Sequence, residues 1–343
     1  MSPEDVEILK SLEFPAIFTN TTIFHQCILP VSSFFNLFTL YVIKTRSPKS
    51  IGAVKNYMIW HQLCNIFTDV WITALVRPNL FYPFFVVVTN GPLNLLMTPI
   101  LQTSILIGAL HSTACVIVIT LFYRYQTLLP LGHFLKIRDE IRIHQAAVIV
   151  FVFSFLNGFF SLYVLNVDIE SEKAYLVETH PFLKYIFAYK HIYCRRHDNF
   201  LLLFTLNIVV MFTFCVMITV TMLLLTFTIT DRNASAKTKR MQRFFTLKLS
   251  FQLVLPLWFL GIPGFYLAVS VLGKIYTPYS GICNMGAVFA VSTHALVSSV
   301  TTLFFWKNYR MFVVFLFVNI FKKLKGNSAF PIFPSHQPSS NMR

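Results

Sequence analysis

The chain has 343 residues, of which 56% are hydrophobic and 12% charged, where a soluble domain carries roughly 25% charged residues. With a mean hydropathy of +0.65 and 38 Phe residues, too little polar surface remains to cover a water-soluble globule of this size, so soluble classes are excluded. The formal net charge of +15 would suggest nucleic acid in a soluble protein, but cytoplasmic loops of membrane proteins accumulate Lys and Arg, and no nucleic-acid partner is expected.

A helix needs about 20 apolar residues to cross a bilayer. Residues 1–21 open acidic, MSPEDVEILK, without the basic start of a cleaved leader. They read as an external terminus with a glycosylation sequon at Asn20-Thr21-Thr22. The first span falls within Phe14–Ile43, and the second within Asn56–Val76, broken only by Asp69. The stretch Pro78–Tyr123 has no charged residue, yet Tyr82-Pro83, Gly91-Pro92 and Pro99 leave no uninterrupted 20-mer before Pro99. It therefore reads as a partly ordered apolar loop followed by a third span from about Met97 to Tyr123. Four more spans lie in Ile143–Val167, Asn199–Thr230, Leu249–Gly273 and Ile275–Trp306. The expected fold is an all-α membrane protein, a seven-transmembrane helix bundle over residues 22–310. The apolar run Met311–Phe321 ends in Lys322-Lys323-Leu324-Lys325, which suits an amphipathic inner-leaflet helix over 311–325. The Ser- and Pro-rich tail, 326–343, reads as a disordered cytoplasmic segment.

With the N-terminus outside, 20 of the 28 Lys and Arg residues fall on cytoplasmic segments. The positive-inside rule then places the N-terminus outside and the C-terminus in the cytoplasm. Asn20 is the sequon that faces outward, and Asn233-Ala234-Ser235 faces inward.

Polar groups inside spans are costly in lipid and ask for a reason. Asp69 is the sole acidic residue within a span. It reads either as a buried ion, water or proton site or as a carboxylate hydrogen-bonded for packing. His294 stands at a comparable depth in the seventh span and is the expected partner of Asp69. In the third span, Gln102 lies nearer the outer end and is the better candidate for contact with an external ligand. His111, deeper, reads as a ligand contact or as an interhelical hydrogen bonder. Pro256 and Pro263 interrupt the sixth span and make a hinge there. Arg124, at the inner end of the third span, is either a snorkelling interface arginine or a contact for a cytoplasmic partner. The six cysteines show no CxxC spacing, so no metal site or cofactor is expected. Cys194 and Cys283 both face the oxidising side and are expected to pair. No HExxH, GxSxG or P-loop is present, and a lone intramembrane carboxylate makes no dyad, so an enzyme is not expected.

Motifs in order along the chain resemble the nematode seven-transmembrane chemoreceptors, most closely serpentine receptor class H. They comprise Asp69, Arg77-Pro78, Phe81-Tyr82-Pro83, Gly91, Pro99 and Gln102. Lys237 through Phe245 follows, with Gln252, Pro256 and Pro263, then Ser292-Thr293-His294-Ala295, Ser298-Ser299 and Asn308-Tyr309-Arg310. The resemblance implies a chemosensory G-protein-coupled receptor for a small external molecule, acting on a heterotrimeric G protein. Arg124, Tyr125, Lys237, Lys239, Arg240 and Arg243 would then form the G-protein contact. It further implies the plasma membrane, in the cilium of a sensory neuron. The sequence departs from the family at Phe122 and Tyr123, where an acidic residue usually stands beside Arg124, at Ala295 in place of Gly, and at Asn308 in place of Pro. The outer end of the third span also lacks the Cys through which many G-protein-coupled receptors tie it to the second outer loop. The alternative from another class is a seven-helix ligand-gated channel subunit, inverted in the membrane, or a transporter.

Overall fold

The computed structural model describes residues 14–48, 51–82, 84–129, 133, 135–164, 167–196, 198–228, 235–273 and 280–324. Pro83, Asn233 and the tail 326–343 lie outside the described residues.

Helix α1 runs Phe14–Arg46, so Asn20 sits exposed on its first turns and not in a preceding tail. Helix α2, Val54–Val70, passes into a π-helical turn, Trp71–Val76, that ends at Arg77 in the left-handed region (φ 49°). The next stretch, expected to be an apolar loop, is a hairpin of β1, Pro78–Phe81, and β2, Val86–Thr89. The β-branched run Val86-Val87-Val88-Thr89 suits a pleated, buried strand. A 3₁₀ turn, Pro92–Leu95, leads to α3, Pro99–Leu128, with Pro99 in the first helical position where its missing N–H costs nothing. Helix α4, Glu140–Tyr163, is capped by Asp139, whose Oδ1 accepts from the Ile141 amide at 3.0 Å.

Helix α5, Ile169–Thr179, starts in the same way at Asp168 and carries Glu170 and Glu172 in its first turn, where the helix dipole favours negative charge. A 3₁₀ segment, Pro181–Ala188, and strand β3, Ile192–Cys194, follow. The sheet order is β1-β2-β3, all antiparallel, with Phe81 opposite Val86 and Val86 opposite Cys194. Helices α6, Asn199–Thr228, α7, Ala236–Gly273, and α8, Ser280–Phe305, complete the bundle, and α9, Lys307–Leu324, turns off after Trp306.

Six of these helices are long and apolar enough to cross a membrane. The seventh, α2, is 17 residues long and more polar. His61, Gln62, Asn65, Thr68 and Asp69 are all buried on it, so its polarity faces neighbouring helices and its exposed side, with Leu63 and Phe67, is apolar. Close helix contact comes from small residues. A Cβ on Gly108 of α3 would sit 2.8 Å from the Phe155 carbonyl oxygen of α4, and one on Gly158 of α4 would sit 2.9 Å from Gly108 Cα.

Pro256 and Pro263 both lie inside α7, which stays helical through them, and each is buried. Packing neighbours in a bundle offset the lost backbone donor. The basic run from Lys237 to Arg243 is the start of α7.

Candidate ligand-binding site

The bundle holds a cavity of about 170 Å³ between α3, α6, α7 and α8, and the sheet lines its roof. Strand alternation divides the sheet's two faces. Leu80 and Val87 point into the cavity, with Pro78, Tyr82 and Phe85 beside them. Phe81, Val86 and Val88 point the other way, onto Leu176 of α5 and onto Leu183 and Ile186. Phe85 holds a left-handed backbone (φ 46°) at the hairpin turn, a conformation that costs a bulky residue about 1–2 kcal/mol. Edge-on contacts with Tyr82, Tyr193 and Phe204 hold its ring in place.

Charged groups pin the roof to α6. Arg195 forks onto Asp198, with Nη2 at 2.6 Å and Nε at 3.1 Å from Oδ2, and Asp198 Oδ1 accepts the Leu201 amide at 2.9 Å. Burial pushes the Asp198 carboxyl up, but Arg195 and the Leu201 amide outweigh it and hold the group below its usual range. Glu172 of α5 accepts the Arg196 amide at 2.7 Å. The expected Cys194–Cys283 disulfide is absent, and both are free thiols. Cys194 is fully enclosed between the sheet and α5, where burial pushes its thiol up to about 12, whereas Cys283 is exposed on α8.

Of the two expected ligand contacts, His111 lines the cavity and Gln102 does not. Gln102 is completely buried and donates from Nε2 to Asn94 Oδ1 at 3.0 Å and to the Met97 carbonyl at 2.8 Å. Its amide clips the 3₁₀ turn to the start of α3, which satisfies loop carbonyls that would otherwise be orphaned.

A second polar constellation forms a seam through α1, α2 and α8. Asp69 Oδ2 accepts from Ser32 Oγ at 2.7 Å and from Asn36 Nδ2 at 3.0 Å. Asn36 Oδ1 accepts from Ser299 Oγ at 2.5 Å and from Gln62 Nε2 at 3.1 Å, and Asn65 donates to Ser298 at 2.9 Å. The expected Asp69–His294 pair does not form. His294 Nδ1 donates to the Val291 carbonyl at 2.5 Å, which turns the Nε2 lone pair toward the Thr68 hydroxyl at 3.2 Å. Adjacent residues on a helix point about 100° apart, so Thr68 faces α8 while Asp69 faces α1. Ser32 and Asn36, which hold Asp69, were legible as polar residues inside the first apolar span.

At the opposite end of the bundle, Arg124 lies within α3, which continues to Leu128, and its Nη1 donates to Thr127 Oγ1 at 3.4 Å. Tyr125 is 3% exposed and turns inward, so it offers no docking surface in this arrangement. Arg240 is exposed, and the side chains of Lys237, Lys239 and Arg243 lie outside the described residues. Beside Arg124, Tyr123 donates to Glu140 of α4 at 2.5 Å. Tyr309 of α9 is fully buried, and its hydroxyl meets Ser47 at 2.6 Å, which fastens α9 to the end of α1.

The helices thus form a multi-pass membrane bundle with an apolar chamber under one capped end. The chain belongs to the serpentine type 7TM GPCR chemoreceptor family Srh, whose model matches residues 18–319. No curated protein matches it.

Proposed function

We propose that this chain is a chemosensory receptor of the plasma membrane. It takes a small external molecule into the roofed cavity and activates a heterotrimeric G protein at the opposite end. The observation that carries this reading is the cavity itself, an apolar chamber with one imidazole in its wall, set between the helices whose relative movement a ligand would bias. The cap faces outside in this reading and Asn20 carries glycan, which the bias of basic residues toward the other end supports. Arg124 and Arg240, with the rest of the basic start of α7, form the G-protein contact.

The test is nucleotide exchange on a co-expressed G protein, in cells given a panel of volatile and small water-soluble compounds. Glycosidase sensitivity at Asn20 reports orientation in the same cells. Arg124→Ala is expected to keep surface expression and lose exchange. Ligand-gated current without nucleotide exchange, or undiminished exchange in the variant, contradicts the reading.

A further inference from the structure

The cavity wall contains one nitrogen pair whose two members face different surroundings. His111 of α3 packs its Nδ1 toward Gly158 of α4, where an added Cβ would lie 2.6 Å away. That nitrogen is buried and has no hydrogen-bond partner. The ring belongs to the cavity wall, and with its Nδ1 edge packed on Gly158 the edge left for the cavity is the one that carries Nε2. A neutral imidazole carries one N–H. A buried N–H without an acceptor is rarer than an under-used lone pair, and the Gly158 Cα–H opposite Nδ1 tolerates a lone pair but opposes an N–H. The proton therefore sits on Nε2, as a donor aimed into the cavity.

The other polar groups of the wall are the hydroxyls of Thr103, Thr205 and Tyr82 and the thiol of Cys215, and a thiol is only a weak donor. Thr103 and Thr205 each donate their hydroxyl at 2.8 Å to a carbonyl one turn back in their own helix, Pro99 and Leu201. Tyr82 lines the cavity at the roof, whereas His111 lies eight residues beyond Thr103 on α3, about 12 Å further from the cap. None of the lining residues is an acid, a lysine or an arginine, so an ionic ligand would stay unpaired in a low dielectric.

We propose that the cavity selects a small hydrocarbon-bodied molecule with one carbonyl group, a ketone, aldehyde or ester, whose oxygen accepts from His111 Nε2–H. This rests on the reading of the cavity as the receptor's ligand chamber. Its volume is close to that of an engineered ~150 Å³ cavity that takes up benzene, which sets the ligand at roughly six to ten non-hydrogen atoms. A carbonyl fits better than a hydroxyl at His111 because an alcohol brings a proton of its own, and the wall's hydroxyl oxygens, on Thr103, Thr205 and Tyr82, lie toward the cap and away from His111.

The experiment is thermal-shift titration of the full-length receptor in lipid nanodiscs with 2-heptanone, 2-heptanol and n-heptane. Wild type, His111→Leu, His111→Phe and the cavity-filling Ala114→Phe are compared. In wild type, the ketone is expected to bind about tenfold more tightly than heptane, the worth of one neutral hydrogen bond. Either His111 variant should bring that ratio to about one while heptane still binds, and the pair guards against one of them failing to fold. A ratio near one in wild type, a ratio preserved in both His111 variants, or a preference for the alcohol overturns the carbonyl assignment and leaves the chamber standing. If no probe stabilises wild type more than Ala114→Phe, the chamber itself is contradicted.

Discussion

The roofed cavity and the seam between α1, α2 and α8 lie in one bundle but handle polarity in opposite ways. In the seam, Ser32, Asn36, Gln62, Asn65, Asp69, Ser298 and Ser299 are all at most 1% exposed, and most of their polar atoms are spent on one another. In the cavity the walls are mostly hydrocarbon and His111 Nδ1 has no protein partner. Groups that satisfy each other hold helices in register, while space with an unused donor is left for something from outside. Asp69 and His111 are both buried polar residues within apolar spans, so residue type alone does not separate the two roles. Their neighbours do.

The largest effect should come from breaking the seam at Asn36. It donates to Asp69 and Ser32 and accepts from Ser299 and Gln62. Asn36→Ala leaves several buried polar atoms unpaired, at about 1–3 kcal/mol each before relaxation. A strongly lowered melting temperature and poor surface expression are expected, and an unchanged melt would remove the seam from any structural role.

A smaller effect sharpens which partner Asp69 has. In a double-mutant cycle, Asp69→Asn and Asn36→Ala should couple by about 1 kcal/mol or more, as residues in direct hydrogen bonding do. Asp69→Asn and His294→Ala should add to within about 0.5 kcal/mol, because they sit on different sides of α2. Strong coupling in the second pair with none in the first would reverse the assignment.

The six long apolar spans were legible because 20-residue apolar runs have one stable outcome in a bilayer. Polar residues within apolar stretches, Asp69 and His111 among them, stood out for the same reason. What was not legible depended on which residues meet. The sheet needed Val86–Val88 to pair with Ile192–Cys194, more than a hundred residues away in sequence, and the prolines around the hairpin spoke locally for a loop. Depth along the helices matched Asp69 with His294, but rotation around α2 gave the Thr68 hydroxyl to His294 and the Asp69 carboxylate to α1. Gln102 read as a ligand contact from its depth, yet its amide is used by the turn beside it.

The smallest expected effect concerns the roof at low pH. Asp198 is held below its usual range when folded, so its pairing with Arg195 stabilises the cap above the unfolded carboxylate value of about 3.9. That contribution is lost as pH falls through the folded value. Hydrogen-exchange protection of the Ile192–Cys194 amides should hold from pH 7 to 5 and fall below about pH 4. Asp198→Asn should show the lower protection throughout, with no step.

The separation of roles is tested most directly by filling the cavity without touching the seam. Ala114 lines the cavity from α3, and Ala114→Phe occupies it with a ring. In cells matched for surface expression, any compound that activates the wild-type receptor should fail on Ala114→Phe, while Ser298→Ala in the seam should still respond with an altered basal level. An unchanged concentration dependence in Ala114→Phe would show that ligands act elsewhere and would contradict the account.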